Sequence, residues 1–156
     1  MIQVTRYTTS DAIRGSLGVD PQDCSDEVIA SSNLEVELEV DLDGWLPTHD
    51  TLFTAGAATG ATGAEKTTKN LILLYAQWFC AFELASRFLL FPQIVTDGKN
   101  QMNRFAKVDL DRVKDLAASR MNKYRKSLDE LVNSSSEGVL PIVSISTPSF
   151  DPVTNT

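Results

Sequence analysis

LILLYAQWFCAFELASRFLLF, residues 71–91, carries polar side chains only at Gln77, Glu83, Ser86 and Arg87. Wound at 3.6 residues per turn it is apolar around most of its circumference, which is more surface than one small core usually covers. The pattern predicts a helix over 64–91, roughly 40 Å long at about 1.5 Å per residue, stopped by Pro92. Tyr75, Trp78, Phe79 and Phe82 fall on one side of it at i, i+3, i+4 and i+7, the spacing of a core stripe. A membrane span is disfavoured because Glu83 and Arg87 stand one turn apart in its second half, where they are expected to pair. A chain that must hide such a helix by protein contact is expected to be a subunit of an assembly.

On the N-terminal side of this helix, residues 54–64 (TAGAATGATGA) are small and glycine-rich and read as a flexible loop. A phosphate-binding loop fails on spacing, since Ala64 and Glu65 separate Gly63 from Lys66-Thr67. Further back, Leu34, Val36, Leu38, Val40 and Leu42 alternate with Glu35, Glu37, Glu39, Asp41 and Asp43. Alternation is the signature of a strand. Glu and Leu are nevertheless good helix formers, Glu and Asp are depleted in strands, and no partner strand precedes the segment, so a helix over 26–43 is expected. On it, Ile29, Val36 and Val40 share one face while Leu34, Leu38, Leu42 and Trp45 share the opposite one, so the helix is expected to be gripped from both sides. One grip would come from its own bundle and the other from a neighbouring copy. Ser25 with Asp26 and Glu27 opens this helix, and Trp45-Leu46-Pro47 closes it. A first short helix is capped by Thr8 or Thr9 and ended at Leu17-Gly18.

Beyond Pro92, Asp97-Gly98-Lys99 predicts a tight turn. A fourth helix over 109–133 is expected to bury Val113, Leu116, Ala117, Met121, Tyr124, Leu128 and Leu131 and to leave Arg112, Lys123, Arg125 and Lys126 outside. Residues 134–138 read as a linker. The following apolar run has β-branched Ile142, Val143 and Ile145, with Pro141 and Pro148 limiting regular pairing, and reads as an extended arm. The expected fold class is therefore all-α, a small bundle of about four helices over 1–133 with a linker and β-prone C-terminal arm over 134–156. On the arm, Val139, Leu140, Ile142, Val143, Ile145 and Phe150 are the expected partner-binding residues.

The net charge of −7 argues against a surface built to grip phosphates. Its distribution is uneven. Residues 1–64 hold Arg6 and Arg14 against eleven acids, a net −9, whereas 99–126 holds nine basic residues against Asp109, Asp111 and Asp115, a net +6. Such polarity suits head-to-tail contact between copies, with Glu35, Glu37 and Glu39 expected on one side and Arg112, Lys123 and Lys126 on the other. Cys24 and Cys80 form neither a disulfide framework nor a metal motif, and His49, beside Asp50 on a polar segment, reads as a lone surface histidine. Neither a catalytic constellation nor a calcium loop is visible, so no enzymatic activity, cofactor or metal is expected. The opening residues carry no apolar leader, and synthesis in the cytoplasm is expected.

Several short pieces resemble, in their order and spacing, the head-tail connector or adaptor proteins of tailed bacteriophages. They are Val4-Thr5-Arg6-Tyr7-Thr8-Thr9 with Ile13-Arg14 and Leu17-Gly18-Val19, then Trp45-Leu46-Pro47, then Tyr75-Ala76-Gln77-Trp78-Phe79-Cys80, and finally Ile94, Asp97-Gly98-Lys99 and Arg104-Phe105. The resemblance covers roughly residues 4–132. It implies a structural virion protein at the head-tail junction, assembled in the host as a ring, commonly of twelve copies. That ring would lie beneath the portal, meet the tail or a second neck protein, and extend a channel through which DNA passes without specific binding. The competing readings are a helix-turn-helix regulator built on residues 9–18 and 25 onward, whose recognition helix would carry phosphate-repelling Glu27, Glu35, Glu37 and Glu39, and an unrelated complex subunit.

Overall fold

The computed structural model of the 156-residue chain describes residues 2–21, 24–88, 94–97, 100–103 and 107–136. The described fold is mostly helical. Its order is β1 (Gln3–Thr5), β2 (Thr8–Thr9), α1 (Ser10–Leu17), α2 (Asp26–Ala30), α3 (Leu34–Trp45), α4 (His49–Ala57), α5 (Gly63–Phe88), β3 (Ile94–Asp97), β4 (Asn100–Asn103) and α6 (Lys107–Ser136). Two small antiparallel pairs, β1 with β2 and β3 with β4, are the only sheets among the described residues. The second pair runs in regular register from Ile94↔Asn103 to Asp97↔Asn100, a hairpin that the reading of a bare turn did not foresee. Gly98 and Lys99 of that turn, Pro92, Arg104-Phe105 and the arm over 139–156 lie outside the described residues.

Helix α5 is the axis of the molecule, and α1, α3, α4 and α6 all pack on it. Ile72, Tyr75, Ala76, Phe79, Cys80, Ala81, Leu84 and Ala85 are buried, and they spread over more than half of the helix circumference. The chain's own helices therefore cover the surface that seemed to require a neighbour. Ala76, Cys80, Ala81 and Ala85 keep that surface shallow enough for several helices to approach together. At its start Thr62 Oγ1 accepts from the Glu65 amide at 3.3 Å, and the Glu65 carboxylate accepts from the Thr62 amide at 2.6 Å. This capping box satisfies two of the amides that a helix start leaves orphaned, and it holds the Glu65 carboxyl below its ordinary range.

Residues 49–57, read in part as flexible loop, form α4 instead. The glycine there serves a close approach. A Cβ on Gly56 would lie 2.4 Å from the Glu65 carbonyl oxygen and 2.6 Å from Lys69 Cβ, so α4 touches α5 backbone to backbone at this point. Small residues that look like loop composition in one dimension are here the condition for a helix–helix contact.

The expected single helix over 26–43 is two helices. Asn33 adopts φ 52°, ψ 26°, a left-handed conformation that asparagine tolerates better than most side chains, and it breaks the path between α2 and α3. Ser31 and Ser32 both turn their hydroxyls back to the Val28 carbonyl, which helps end α2. The break resets the helical phase. Ile29 is fully buried with Leu34, Leu38 and Leu42, while Val36 and Val40 are 60% and 68% exposed. The helical state of 34–45 over the strand alternative is as expected, and of its two apolar faces it is the Leu one that packs on the bundle. The expected grouping of Ile29 with the valines is not.

Two further contacts set the N-terminal half. Thr9 caps α1 by accepting from the Ala12 amide, and Gly18 ends it at φ 66°, ψ 33°. The Arg14 guanidinium, 5% exposed, donates to Ser10 Oγ, Asp11, the Cys24 carbonyl at 3.1 Å and Asp26 at 2.7 Å, tying α1 to α2. The Ser10 hydroxyl and Arg14 hold the Asp26 carboxyl down at about 2. Because the folded value lies below the unfolded one, its stabilisation is complete above about pH 4 and disappears as pH falls through about 2. Asp26→Asn is accordingly expected to be less stable than wild type at pH 7, with a flatter loss between pH 4 and 2 in urea melts. Equal pH slopes for the two proteins would remove Asp26 from the account.

Candidate functional site

The acids of α3 divide by what they touch. Glu37 pairs with Arg87 of α5, which also donates to the Ser32 carbonyl. Arg87 is thus engaged by α3, and the expected Glu83–Arg87 pair does not form. The Glu83 carboxyl is raised by burial and then by the nearby Glu37 charge. Asp41 accepts from Tyr75 Oη at 2.5 Å and from Trp45 Nε1 at 3.0 Å, and burial together with the Asp41 bond pushes the Tyr75 hydroxyl well above its ordinary range. Trp45 itself stands edge-on to Tyr75 at 5.1 Å between ring centroids, with the Arg125 guanidinium 4.8 Å above its ring. Arg125, expected outside, is therefore half-buried as a cation on an indole face. Every second acid of the alternating run thereby anchors α3 to α5, which explains why the run is so acidic on a helix that packs.

The remaining acids, Glu35, Glu39 and Asp43, are exposed, and of these Asp43 also bonds His49 Nε2 at 3.1 Å. On a 100° helical wheel Val36 and Val40 lie opposite Leu34, Leu38 and Leu42, with Glu39 and Asp43 beside the valines and Glu35 on the flank next to Leu42. Glu35 and Glu39 make no ion pair among the described residues. Among the described residues the large apolar side chains that stand exposed are Val36, Val40 and Leu116. Leu116, expected in the core, is 47% exposed because the bundle takes Ala117 and Leu128 as its buried positions on α6, with Val113, Met121 and Tyr124 beside them. Arg112, Arg120 and Lys123 are exposed and fall within about 40° of Leu116 around the helix. Two faces result, one acidic with a paired-valine centre and one basic with a leucine centre.

Of the expected inter-subunit residues, Glu39, Arg112 and Lys123 lie on these faces, and Glu35 is exposed on the flank of the acidic one. Glu37 is committed to Arg87, and Lys126 lies 80° further round α6, 3.9 Å from Glu130. Arg120 and Leu116 were missed. The signal for both was present, since Arg120 is four residues from Leu116 and Ala117 alone fills the neighbouring core position. The expected arm residues Val139, Leu140, Ile142, Val143, Ile145 and Phe150 lie outside the described residues.

His49 is not on the surface. It is 6% exposed, with Nδ1 2.7 Å from Tyr7 Oη and Nε2 3.1 Å from the Asp43 carboxylate. Tyr7 Oη also bonds Asp50, which pairs with Arg6, and Arg6 reaches Thr54 Oγ1 at 3.2 Å. Phe53 closes on the Tyr7 ring at 4.9 Å. Burial, and then the Asp50 bond, pushes the Tyr7 hydroxyl well above its ordinary range, while that same bond lowers Asp50. The hydroxyl thereby stays a neutral donor. Chemically the cluster clamps the turn between β1 and β2 to α3 and α4, a contact over more than forty residues of sequence that no local pattern announces.

Cys24 and Cys80 are fully buried, and burial pushes the Cys80 thiol up to about 12, which makes it a poor nucleophile. Among the described residues no group of His, Cys, Asp and Glu has a metal-binding arrangement, and no helix is long and apolar enough to cross a membrane. No protein-family model, curated protein or solved structure matches the chain.

Proposed function

We propose that this protein is a structural subunit of a tailed-bacteriophage head-tail junction, a connector or adaptor that assembles as a ring under the portal. The observation that carries the reading is the pair of exposed, unlike faces, acidic on α3 and basic on α6. Heterologous contact between two different surfaces, repeated by rotation, closes a ring, whereas a self-complementary patch stops at a dimer. The sequence resemblance to connector proteins supplies the particle in which such a ring works. Net charge of −7 suits a conduit, because excess negative charge toward a lumen keeps passing phosphates from adhering. The arm over 139–156 completes the proposal as the segment that docks on the portal, with Ile142, Val143 and Ile145 extending a sheet edge or filling a groove.

A helix-turn-helix regulator is less well supported. Its recognition helix would be α2, which has only five residues and places Asp26 and Glu27 in its first turn.

The test uses the full chain and a variant ending at residue 138. Mass photometry and negative-stain electron microscopy, with and without the portal ring, are expected to show closed oligomers of the full chain stacked on the portal. The shortened chain is expected to keep its helical circular dichroism and melting temperature and to lose portal binding. A full chain that stays monomeric and ignores the portal defeats the proposal, and a shortened chain that binds as well as the full one defeats the role of the arm.

A further inference from the structure

The ring reading requires a contact between copies but does not say where it lies. We infer that it is formed by α3 of one copy seated on the N-terminal half of α6 of the next, with Leu116 entering beside Val36. This inference rests on the proposed assembly and specifies its interface.

The occupant follows from charge. Two α3 faces brought together would oppose Glu39, and Glu35 on its flank, to their own copies, and two α6 faces would oppose Arg112, Arg120 and Lys123 to theirs. Like charges set directly against one another are strongly unfavourable across an interface. The unlike pairing neutralises both sides and buries the three exposed large apolar side chains of the described residues in a single contact. Dimensions agree as well. Arg112 to Lys123 spans about 16 Å along α6, and Glu35 to Asp43 about 12 Å along α3, so one stripe lies within the other.

A cavity supplies the register. Next to Val36, at the junction of β1, α2 and α3, lies a recess of about 280 Å³ bordered by Gln3, Ile29, Ala30, Asn33, Glu35 and Val36. The left-handed turn at Asn33 creates it by swinging α2 away from the line of α3. Val36 is the exposed apolar side chain on its border, and Glu35 borders it too. A leucine flanked one turn away on either side by arginines matches both properties, and on α6 Leu116 stands between Arg112 and Arg120. In this register, with α6 running parallel to α3, Arg112 meets Glu35 and Arg120 reaches Glu39, with Lys123 beyond.

Because both native cysteines are fully buried, engineered thiols report without interference. Full-length Val36→Cys and Leu116→Cys proteins are mixed at assembling concentration and oxidised with oxidised glutathione. A disulfide needs Cα atoms within about 7 Å, so bonding reports direct apposition. The mixture is expected to give heterodisulfide in at least about tenfold excess over the product of either variant alone, because each alone lacks its facing thiol. Independently, Glu39→Arg is expected to weaken self-association at least about tenfold, Arg120→Glu likewise, and the two combined in one chain to recover most of it. Oligomers that form normally with no excess heterodisulfide and no recovery in the double variant overturn this interface and leave the ring reading standing. Wild-type protein that never oligomerises, alone or on the portal, overturns both.

Discussion

Leu38→Ala is expected to lower the melting temperature by about 6–15 °C. Leu38 is fully buried in the middle of α3, between Leu34 and Leu42, and truncation leaves a cavity in packing that α5 and the α2 segment hold in place. Such truncations cost about 2–5 kcal/mol, against a total stability of roughly 5–15 kcal/mol for a domain. Two residues away, Val36→Ala removes side-chain surface that is already in water, and its effect on the same melt is expected to stay within about 0.5 kcal/mol. Assembly responds the other way round, since Val36 lies on the face proposed to meet a neighbour. If Leu38→Ala melts no lower than Val36→Ala, α3 does not present the face described here.

Gly56→Ala and Gly15→Ala are expected to shift stability in opposite directions. Both glycines are inside helices, where exchange for alanine on its own gains about 0.5–1 kcal/mol. At Gly15 a new methyl meets nothing within 4 Å, so that gain should appear in full as a melting temperature raised by a few degrees. At Gly56 the methyl lands 2.4 Å from the Glu65 carbonyl oxygen, a backbone atom near the capping box that starts α5, and 2.6 Å from Lys69 Cβ. Neither can swing aside as a flexible side-chain tip would. Overpacking of this kind costs about 1–3 kcal/mol, and the net result is a loss of about 1–2 kcal/mol once the propensity gain is subtracted. Larger substitutions at Gly56 are expected to separate α4 from α5 and loosen the His49 clamp, which near-ultraviolet circular dichroism of Tyr7 and Phe53 would register. A Gly56→Ala protein that melts above wild type would mean that α4 does not approach α5 so closely.

The two glycines show what composition conceals. Residues 54–64 look identical to a flexible linker because small residues serve both purposes, freedom in a loop and contact between helices. Only the partner distinguishes them, and the partner, Glu65 to Lys69, is recognisable only once α4 is seen to fold back on α5. The His49 clamp was hidden for a related reason. Tyr7 and His49 are separated by 42 positions, and neither is part of a local period, so no window of sequence places them together.

The helical character of 64–88 and 109–133, the stop at Trp45-Leu46-Pro47, the caps at Thr9 and Ser25 and the Leu34, Leu38 and Leu42 face were all determined by the sequence itself. Those features are local, set by side-chain spacing, capping oxygens and proline, and each acts within a turn or two. Tertiary structure alone decided the phase break at Asn33, the commitment of Glu37 to Arg87 and of Asp41 to Tyr75, and the exposure of Leu116. Whether an apolar residue is core depends on what stands opposite it, and a carboxylate is free only if no cation or hydroxyl arrives from another helix. The alternating acids therefore specify that α3 has two polar flanks and two apolar faces, while the packing of α3 on α5 settles which flank is consumed on α5 and which stays exposed beside Val36 and Val40.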